Sequence, residues 1–578
     1  MENQMTKSAC VSLWFGALSL VLLTACGSSQ SATPDGVAAD AVEVSDTVEA
    51  SDTVEASDLQ AELIDSEVTG TDSTEDVHVD AIDDEALSGP ARTPGGLPLA
   101  LPFPLTRNDD SAPIPDEEVE AFTQALTGSW KEIDYFVWLS EITHGSDVST
   151  GKPDYLIWWH DVSAIKENGK ITWMNDSQEG GSHNNVEPTG LALVSAASGY
   201  LLSGREDMGF ITEQFAKSIN ATLLGFVYDE DDPIETIMAR NIITQNQSYT
   251  LASGKEKNVE YDDWFFEYEG WNAERFHYPN NPYWGDIWVT TMRSKDDVHY
   301  LYRATGWLLY VAELGQTEAV RKAASDAVAG MRGFARDIVD HDYNIRSKDR
   351  NGVPHIPEAE DLASLSSYTS VFPMAECDAR LSTALLAYGE PLGVDCKTGQ
   401  GSPYDDIACT THYFNYHIVW GFHMVALQWA LILGYDAEAW TLLKGLITRI
   451  ERYMNPSSQE PGQEDPSWKR DMATLLVQAA SLGMPLRNDE VRLIHEVHLA
   501  AVAQFADFEN WDMWADSVPD GRYTFRSGFQ PQHNPESTRI EDYLLLLEYC
   551  WSPFRNPAGA PIVDCDVISN PALWGGTL

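Results

Sequence analysis

The stretch GFHMVALQWALILGYDAE, residues 421–438, indicates the architecture of this chain most clearly. Residues 421–431 are apolar on nearly every side, which indicates a helix that is buried by its neighbours. Gly434 supplies the left-handed residue that commonly ends a helix, and Asp436 and Glu438 supply an acidic first turn for the next one. The stretch therefore predicts a helical hairpin with a buried first helix and a half-solvated second helix.

The same pattern, a helix-ending glycine followed by polar capping residues, occurs three more times along the chain. First helices are predicted to end at Gly204, Gly315 and Gly483, and polar capping residues follow each of them. One second helix carries an apolar stripe at spacings of three and four, formed by Val320, Ala323, Ala327, Met331, Phe334 and Ile338. Further helices are predicted at 116–142, 233–246, 358–371 and 375–388. Together these segments predict an all-α fold of about twelve helices.

The N-terminus has the pattern of an export signal. Lys7 precedes an apolar run at 11–23, which is too short to span a bilayer and ends at small residues. The closing residues LTAC, 23–26, resemble a bacterial lipobox. That resemblance implies removal of residues 1–25 and lipidation of Cys26, and Gly27 favours the outer membrane. A plain signal peptide is the alternative.

Residues 26–91 are predicted to be a disordered acidic tether. From Gly27 to Ala91 there is no aromatic residue, no Lys and no Arg, but there are 18 acidic residues. Such a composition cannot bury enough apolar area to offset its ordering entropy. The residues from Arg92 onward still carry −36 of the formal net charge of −54. We therefore expect no nucleic-acid partner and no membrane contact except through the lipid anchor.

Five of the seven cysteines follow the tether. They show no spacing typical of a zinc site, and an exported compartment permits disulfides. Proximity in sequence predicts a Cys550–Cys565 bond and pairs Cys377 with either Cys396 or Cys409.

Two segments carry a family resemblance. EPTGLAL at 187–193 with YLLSG at 200–204 is similar to the start of the helical domain in α/α-toroid (six-hairpin glycosidase-like) proteins. SKDDVHY at 294–300 is similar to a segment of that family in which Ser-x-Asp opens an inner helix. The resemblance implies a single toroid over 92–578 and a carbohydrate ligand, but no catalytic residue. A helical solenoid is the alternative, although the four glycines lie 111, 119 and 49 residues apart.

Four segments that precede predicted inner helices are rich in aromatic residues, His and carboxylates. Flat aromatic faces suit the C–H side of a sugar ring, and polar side chains suit its hydroxyls. This composition predicts an oligo- or polysaccharide ligand. The predicted substrate-binding residues are Trp159, His160, His183, Asn184, Trp271, Trp284, Tyr300, His417, Trp511 and Trp514.

Hydrolysis of a glycosidic bond needs two carboxyl groups. Asp297 is the first candidate because it lies at the predicted start of an inner helix, and Glu187 and Asp512 compete for the second role. Capping of the helix, or pairing with Arg293, is the structural alternative for Asp297. The leading prediction is a glycoside hydrolase.

Two other functions remain open from the sequence. A polysaccharide lyase could use His412 or Tyr416 as its base, with Asn415 and His417 nearby. A glycan-binding lipoprotein without catalysis would keep the aromatic segments and lack a working pair of carboxyl groups.

No cofactor is assigned with certainty, although Ca²⁺ has one candidate loop. Ser347, Asp349, Asn351, Gly352 and Glu358 fall at positions 1, 3, 5, 6 and 12 of an EF-hand-like loop. Ser at the first position and two intruding prolines favour a plain Asp-x-Asn-Gly turn instead. The chain has no zinc-protease, P-loop, nucleophile-elbow or dinucleotide motif.

Overall fold

The computed structural model describes residues 91–133, 161–167, 170–176, 186–224, 237–239, 241–244, 247–250, 256–259, 275–281, 285–290, 295–348, 353–356, 373–394, 420–454, 468–505, 523–526 and 540–573. The chain divides into two units, Met1–Asp84 and Glu85–Leu578, and every described residue belongs to the second. The predicted signal peptide, Cys26 and nearly all of the tether lie outside the described residues.

Helices dominate the described part of the chain, and the all-α fold class is confirmed. The twelve helices are α1 (Asp116–Ile133), α2 (Val186–Ser203), α3 (Glu206–Leu224), α4 (Lys295–Leu314), α5 (Glu318–Asp340), α6 (Pro373–Tyr388), α7 (Gly421–Leu433), α8 (Asp436–Met454), α9 (Trp468–Ser481), α10 (Asn488–Phe505), α11 (Ile540–Trp551) and α12 (Cys565–Ile568). Closure of these helices into a toroid stays a prediction.

The predicted hairpins form where the sequence places them. Gly204, Gly434 and Gly483 adopt left-handed backbone angles after α2, α7 and α9, whereas Gly315 does not. Thr317 caps α5 by accepting a hydrogen bond from the Val320 amide at 3.3 Å. The whole predicted stripe of α5 is buried. Local caps and periodicity therefore determine these hairpins.

The helices form two layers. An inner row consists of α9, α11, α2, α4 and α7, each packed against the next. In α7 every residue from Phe422 to Ile432 is buried. Helices α3, α5, α8 and α10 each pack on the inner helix that precedes them. The inner row supplies most of the core, where a fully buried large apolar side chain contributes about 1.5–3 kcal/mol.

Inner helices α2, α4, α7 and α11 run parallel, as paired contacts along their lengths show. Gly190 of α2 lies against Tyr300 of α4, and further along, the Tyr200 hydroxyl accepts a hydrogen bond from the Gln316 amide. Helices α4 and α7 meet at His299 and Gly421 and again at Gly306 and Gln428. Helix α11 follows the same direction, because Glu548 contacts Arg303 and Trp551 contacts Tyr310. All four helices therefore begin at one end, called the entry end below.

Short strands lie in the segments between the helices. They are β1 (Asp161–Glu167), β2 (Lys170–Asp176), β3 (Asn241–Thr244), β4 (Gln247–Thr250), β5 (Glu256–Val259), β6 (Arg275–Asn281), β7 (Gly285–Thr290), β8 (Ser347–Lys348), β9 (Pro354–His355) and β10 (Tyr523–Arg526). A five-stranded sheet has the order β10-β1-β2-β5-β4, with only β2 and β5 parallel, and β3-β7-β6 form an antiparallel sheet. The larger sheet joins the segments that lead into α2, α4 and α11.

The sequence predicted no strands, and its helix at 233–246 is wrong. Residues 241–244 form β3, in which Ile242, Ile243 and Thr244 are β-branched and pair with β7. Such side chains favour a pleated strand over a helix. The helix predicted at 375–388 is confirmed by α6, and residues 116–133 of the predicted 116–142 form α1.

Residues 91–115, called the strap below, cross the opposite end of the inner helices. The Thr93 hydroxyl donates to Glu313 in the last turn of α4 at 2.7 Å, and the Asn556 amide after α11 donates to the Leu105 carbonyl at 2.8 Å. Phe103 meets Trp440 edge to face, with ring centroids 5.0 Å apart. The strap is therefore part of the folded domain, a point that the sequence leaves open.

Arg107 fastens the strap to the start of α10. Its guanidinium donates twice to Glu490, at 2.8 and 2.9 Å, and once to the Pro485 carbonyl at 3.0 Å. The side chains of Arg107 and Glu490 are 5% and 0% exposed. A bidentate, buried pair of this kind holds its partners in a single geometry.

The predicted Cys550–Cys565 disulfide is present and joins α11 to α12. Cys377 is also disulfide-bonded, and its pairing with Cys396 or Cys409 stays a prediction because both lie outside the described residues. Among the helices that the structure describes, none is both long and apolar enough to cross a membrane.

Candidate functional site

Two predicted catalytic carboxylates lie at the entry end. Glu187 is in the first turn of α2 and Asp297 in the first turn of α4, and these two helices are adjacent and parallel. The backbone of both residues is described, but their side chains are not. The other predicted catalytic residues, Asp512, His412 and Tyr416, lie outside the described residues.

The predicted substrate-binding residues also fall mostly outside the described ranges. These are Trp159, His160, His183, Asn184, Trp271, Trp284, His417, Trp511 and Trp514. Tyr300 is described, and it is 6% exposed on α4. Its ring centroid lies 4.0 Å from that of His299. Tyr300 therefore packs at the base of the entry end, and its contact with a substrate stays a prediction.

Two glycines let the inner helices approach closely at the entry end. A Cβ on Gly190 would lie 2.8 Å from the Tyr300 Cβ and 2.9 Å from its backbone carbon. A Cβ on Gly421, the first residue of α7, would overlap the His299 ring. Because neither glycine can carry a side chain without displacement, α2, α4 and α7 converge here more tightly than larger residues would allow.

His299 occupies the centre of this convergence. It is 4% exposed and meets Phe422 edge to face, with ring centroids 5.4 Å apart. Burial, assisted by the positive charge of Arg303, lowers the pKa of His299 to about 3. The imidazole is therefore neutral at physiological pH. Its Nε2 atom has no hydrogen-bond partner among the described groups.

A buried charged cluster lies beside the start of α7. His423 Nε2 donates to the Leu442 carbonyl at 2.8 Å, and His423 Nδ1 lies 3.0 Å from the Asp378 carboxylate. Arg449 lies 4.0 Å from the same carboxylate, and all three side chains are buried. The cluster ties α6, α7 and α8 together and fixes the start of α7. It is too deeply buried to contact a polymer.

A second buried charged pair joins α4 to α11. Arg303 Nη2 and Trp307 Nε1 both donate to Glu548 Oε1 at 2.6 Å. Glu548 is fully buried, and burial raises the pKa of its carboxyl against the attraction of Arg303. Arg303 and Glu548 are separated by 245 residues in sequence. The pair links helices that flank α2 on either side.

Sequence reasoning missed both buried groups. His423 lies in the apolar run at 421–431, and Glu548 lies in the comparably apolar LLLLEYCW, residues 544–551. An ionisable residue inside such a run is the signal that could have marked them, since buried charges are normally paired. Their partners come from distant helices and could not be read from local spacing.

The calcium loop receives no support from its described residues. Ser347, the first proposed ligand, is 1% exposed and lies in β8, which pairs with β9. Residues 349–352, which hold the Asp-x-Asn-Gly sequence, lie outside the described residues. Within the described ranges, no three His, Cys, Asp or Glu side chains are grouped so as to hold a metal ion.

Comparisons with known proteins identify no relative. No protein-family model matches the chain, and no curated protein or solved structure does so either. The function is therefore inferred from the residues and geometry of this chain.

Proposed function

We propose that this protein is an exported bacterial lipoprotein whose helical domain binds and hydrolyses an oligo- or polysaccharide at the entry end. Asp297 and Glu187 are the proposed carboxyl pair, and the aromatic segments before α2, α4, α7 and α11 provide the proposed sugar contacts. The toroid resemblance leads to the same class of ligand, although a fold alone is weak support for an activity.

One observation carries the proposal: Asp297 and Glu187 occupy the first turns of two adjacent, parallel helices. Packed helices have axes about 8–10 Å apart. The carboxyl groups of inverting glycosidases are about 6.5–9.5 Å apart. The spacing expected between the axes of the two helices is therefore of the same size as the carboxyl separation of an inverting pair.

The remaining aromatic-rich segments precede, in sequence, inner helices that begin at the entry end. Residues 412–417 end shortly before α7 begins at Gly421, and residues 509–533 precede α11. Since α2, α4, α7 and α11 all begin at the entry end, four aromatic-rich segments lead to it. Two carboxyl-bearing residues and four such segments together have the composition of a sugar cleft.

The lipoprotein part of the proposal rests on LTAC at 23–26 and on the acidic tether. The Cys550–Cys565 disulfide agrees with an oxidising compartment. Labelling cells with a radioactive fatty acid tests it: the wild-type chain should take up label, and Cys26→Ser should not. Equal labelling of the two chains would contradict lipidation at Cys26.

Activity is tested by incubating the purified full-length protein with neutral and uronate polysaccharides. Shortened products without new ultraviolet absorbance would support hydrolysis, and their formation should fall at least a hundredfold in Asp297→Asn and Glu187→Gln. Asp296→Asn is the matched control, because successive positions of a helix are about 100° apart around its axis. New absorbance from unsaturated ends would indicate a lyase instead, and binding without cleavage would indicate a glycan receptor.

A further inference from the structure

Residues 552–573, called the C-terminal segment below, connect parts of the domain that are far apart in sequence. The Asn556 side-chain amide donates to the Leu105 carbonyl of the strap at 2.8 Å. The Ala560 backbone amide donates to the Leu486 carbonyl, between α9 and α10, at 2.9 Å. The C-terminal segment therefore contacts both the strap and the turn that leads into α10.

The same segment supports α1. The Asp564 amide donates to the Thr123 hydroxyl of α1 at 2.9 Å, and His495 Nε2 of α10 donates to the Ile562 carbonyl at 2.8 Å. The His495 ring also stacks on Phe122 of α1, with centroids 3.8 Å apart. Helix α1 packs on α10, on α12 and on the short 3₁₀ helix that ends the segment. It is thus held between α10 and the C-terminal segment.

The Cys550–Cys565 disulfide closes most of this segment into a loop. Cys550 is 8% exposed in the last turn of α11, whereas Cys565 begins α12 and is half-buried. The two cysteines are 15 residues apart in sequence. A disulfide lowers the entropy of the opened chain, and for a loop of this length it makes the opened state about a hundredfold less populated. The bond therefore controls how often the segment leaves α1.

We propose that the Cys550–Cys565 disulfide is a redox lock for α1 and the C-terminal segment, which stay docked while the bond is intact and open together when it is reduced. The hairpins α2–α3, α4–α5 and α7–α8 each pack on their own partner helix, and they stay folded in the reduced protein. Opening is local because proteins unfold in cooperative units smaller than a domain. The inference does not depend on the glycan activity proposed above.

The lock closes and opens by thiol–disulfide exchange. On closing, each thiol gives up its hydrogen, and a disulfide-bonded oxidoreductase accepts the two electrons and two protons and is released as a dithiol. A dithiol reductant reverses the reaction. Because exchange requires access to a sulfur atom, the half-buried Cys565 is the expected point of attack.

The test is native-state hydrogen exchange of the full-length protein, measured by mass spectrometry with and without dithiothreitol. Cys550→Ala/Cys565→Ala lacks the bond under both conditions. Cys377→Ser is the matched control, because Cys377 is also disulfide-bonded but lies on α6, which packs on α5 and α7. Thr123→Val keeps both cysteines of the lock and removes the hydroxyl that accepts from the Asp564 amide.

The expected pattern is specific to one part of the domain. Reduction should speed exchange in α1 and in residues 552–573 by about tenfold or more, while exchange in α2, α4 and α7 stays unchanged. Cys550→Ala/Cys565→Ala should show the fast exchange without reductant, and reductant should not change it further in these two regions. Oxidised Cys377→Ser should keep wild-type exchange in α1, and Thr123→Val should speed exchange in α1 with the disulfide intact.

Three outcomes would overturn the inference. Unchanged exchange in α1 on reduction would show that there is no lock. Equal acceleration in every helix would show that the bond supports the whole domain. Fast exchange confined to residues 552–573 would show that α1 docks without the C-terminal segment. If the double cysteine variant does not fold, reduction of the folded wild-type protein still makes the comparison, and no outcome depends on a glycan.

Discussion

The two ends of the inner helices are built in opposite ways. At the end crossed by the strap, charged groups are paired, as Arg107 is with Glu490. At the entry end, glycines let the inner helices approach closely around the buried ring of His299. The strap end is thus held by charged pairs between residues far apart in sequence, whereas the entry end is held by close packing of helix backbones.

The largest loss of stability is expected when the Arg303–Glu548 pair, which joins α4 to α11, is broken. Glu548→Leu should reduce the free energy of unfolding by about 3–5 kcal/mol, because it leaves the Arg303 charge buried and unpaired. The double variant Arg303→Met/Glu548→Leu should recover most of the loss. Urea unfolding of the two single variants and the double variant measures this. A single-variant loss below about 1 kcal/mol would show that the pair does not support the core.

Breaking the Arg107–Glu490 pair at the strap end should lower stability without changing glycan binding. Arg107→Met should cost about 3 kcal/mol, because Glu490 then loses a buried partner, while glycan affinity of the folded protein should stay unchanged. Lys322→Met is the control: its exposed pair with Asp326 on α5 should contribute less than about 0.5 kcal/mol. Weakened glycan binding in Arg107→Met would mean that the two ends are coupled.

The entry end should also show a pH dependence of stability that comes from His299. The folded protein binds a proton at His299 only near pH 3, whereas the unfolded chain binds one near pH 6.5. His299 therefore does not reduce the free energy of unfolding above pH 6.5. Below pH 6.5 the unfolded chain takes up the proton first, so the free energy of unfolding falls as the pH is lowered toward 3. Each pH unit is worth about 1.4 kcal/mol, so the loss from pH 6.5 to 4.5 should be about 2 to 3 kcal/mol.

His299→Phe isolates that contribution, because many other groups titrate over the same range. The difference in unfolding free energy between His299→Phe and wild type should grow as pH falls. A difference that is independent of pH would show that His299 titrates alike in the folded and unfolded states.

The smallest of these effects compares Gly421, the first residue of α7, with Gly434, which follows its last residue. Gly421→Ala should cost about 1 to 2 kcal/mol, because its methyl group would displace the His299 ring, and it should also weaken glycan binding. Gly434→Ala meets no atom within 4 Å but has φ +80°, so it should cost about 1 kcal/mol and leave binding unchanged. Equal binding by the two variants would argue against a close approach of α4 and α7 as part of the site.

Prediction from the sequence was most accurate for features set by neighbouring residues. The stripe of α5, the cap at Thr317 and the turn at Gly434 each depend on residues a few positions apart, and each is present. Strands β1 and β10 were missed because they pair with each other across more than 350 residues, from Asp161 to Arg526. Short strands of this kind carry no local periodicity that distinguishes them from loops.

The sequence by itself determined the helical hairpins, their ends and the composition of the segments between them. These follow from caps, periodicity and glycine conformation, which act within one or two helical turns. Only the tertiary structure decided that α2 and α4 are adjacent and parallel, that Glu187 and Asp297 start neighbouring helices, and that the strap crosses the opposite end. Those choices depend on which apolar faces bury each other, and that is a property of the whole chain rather than of any segment.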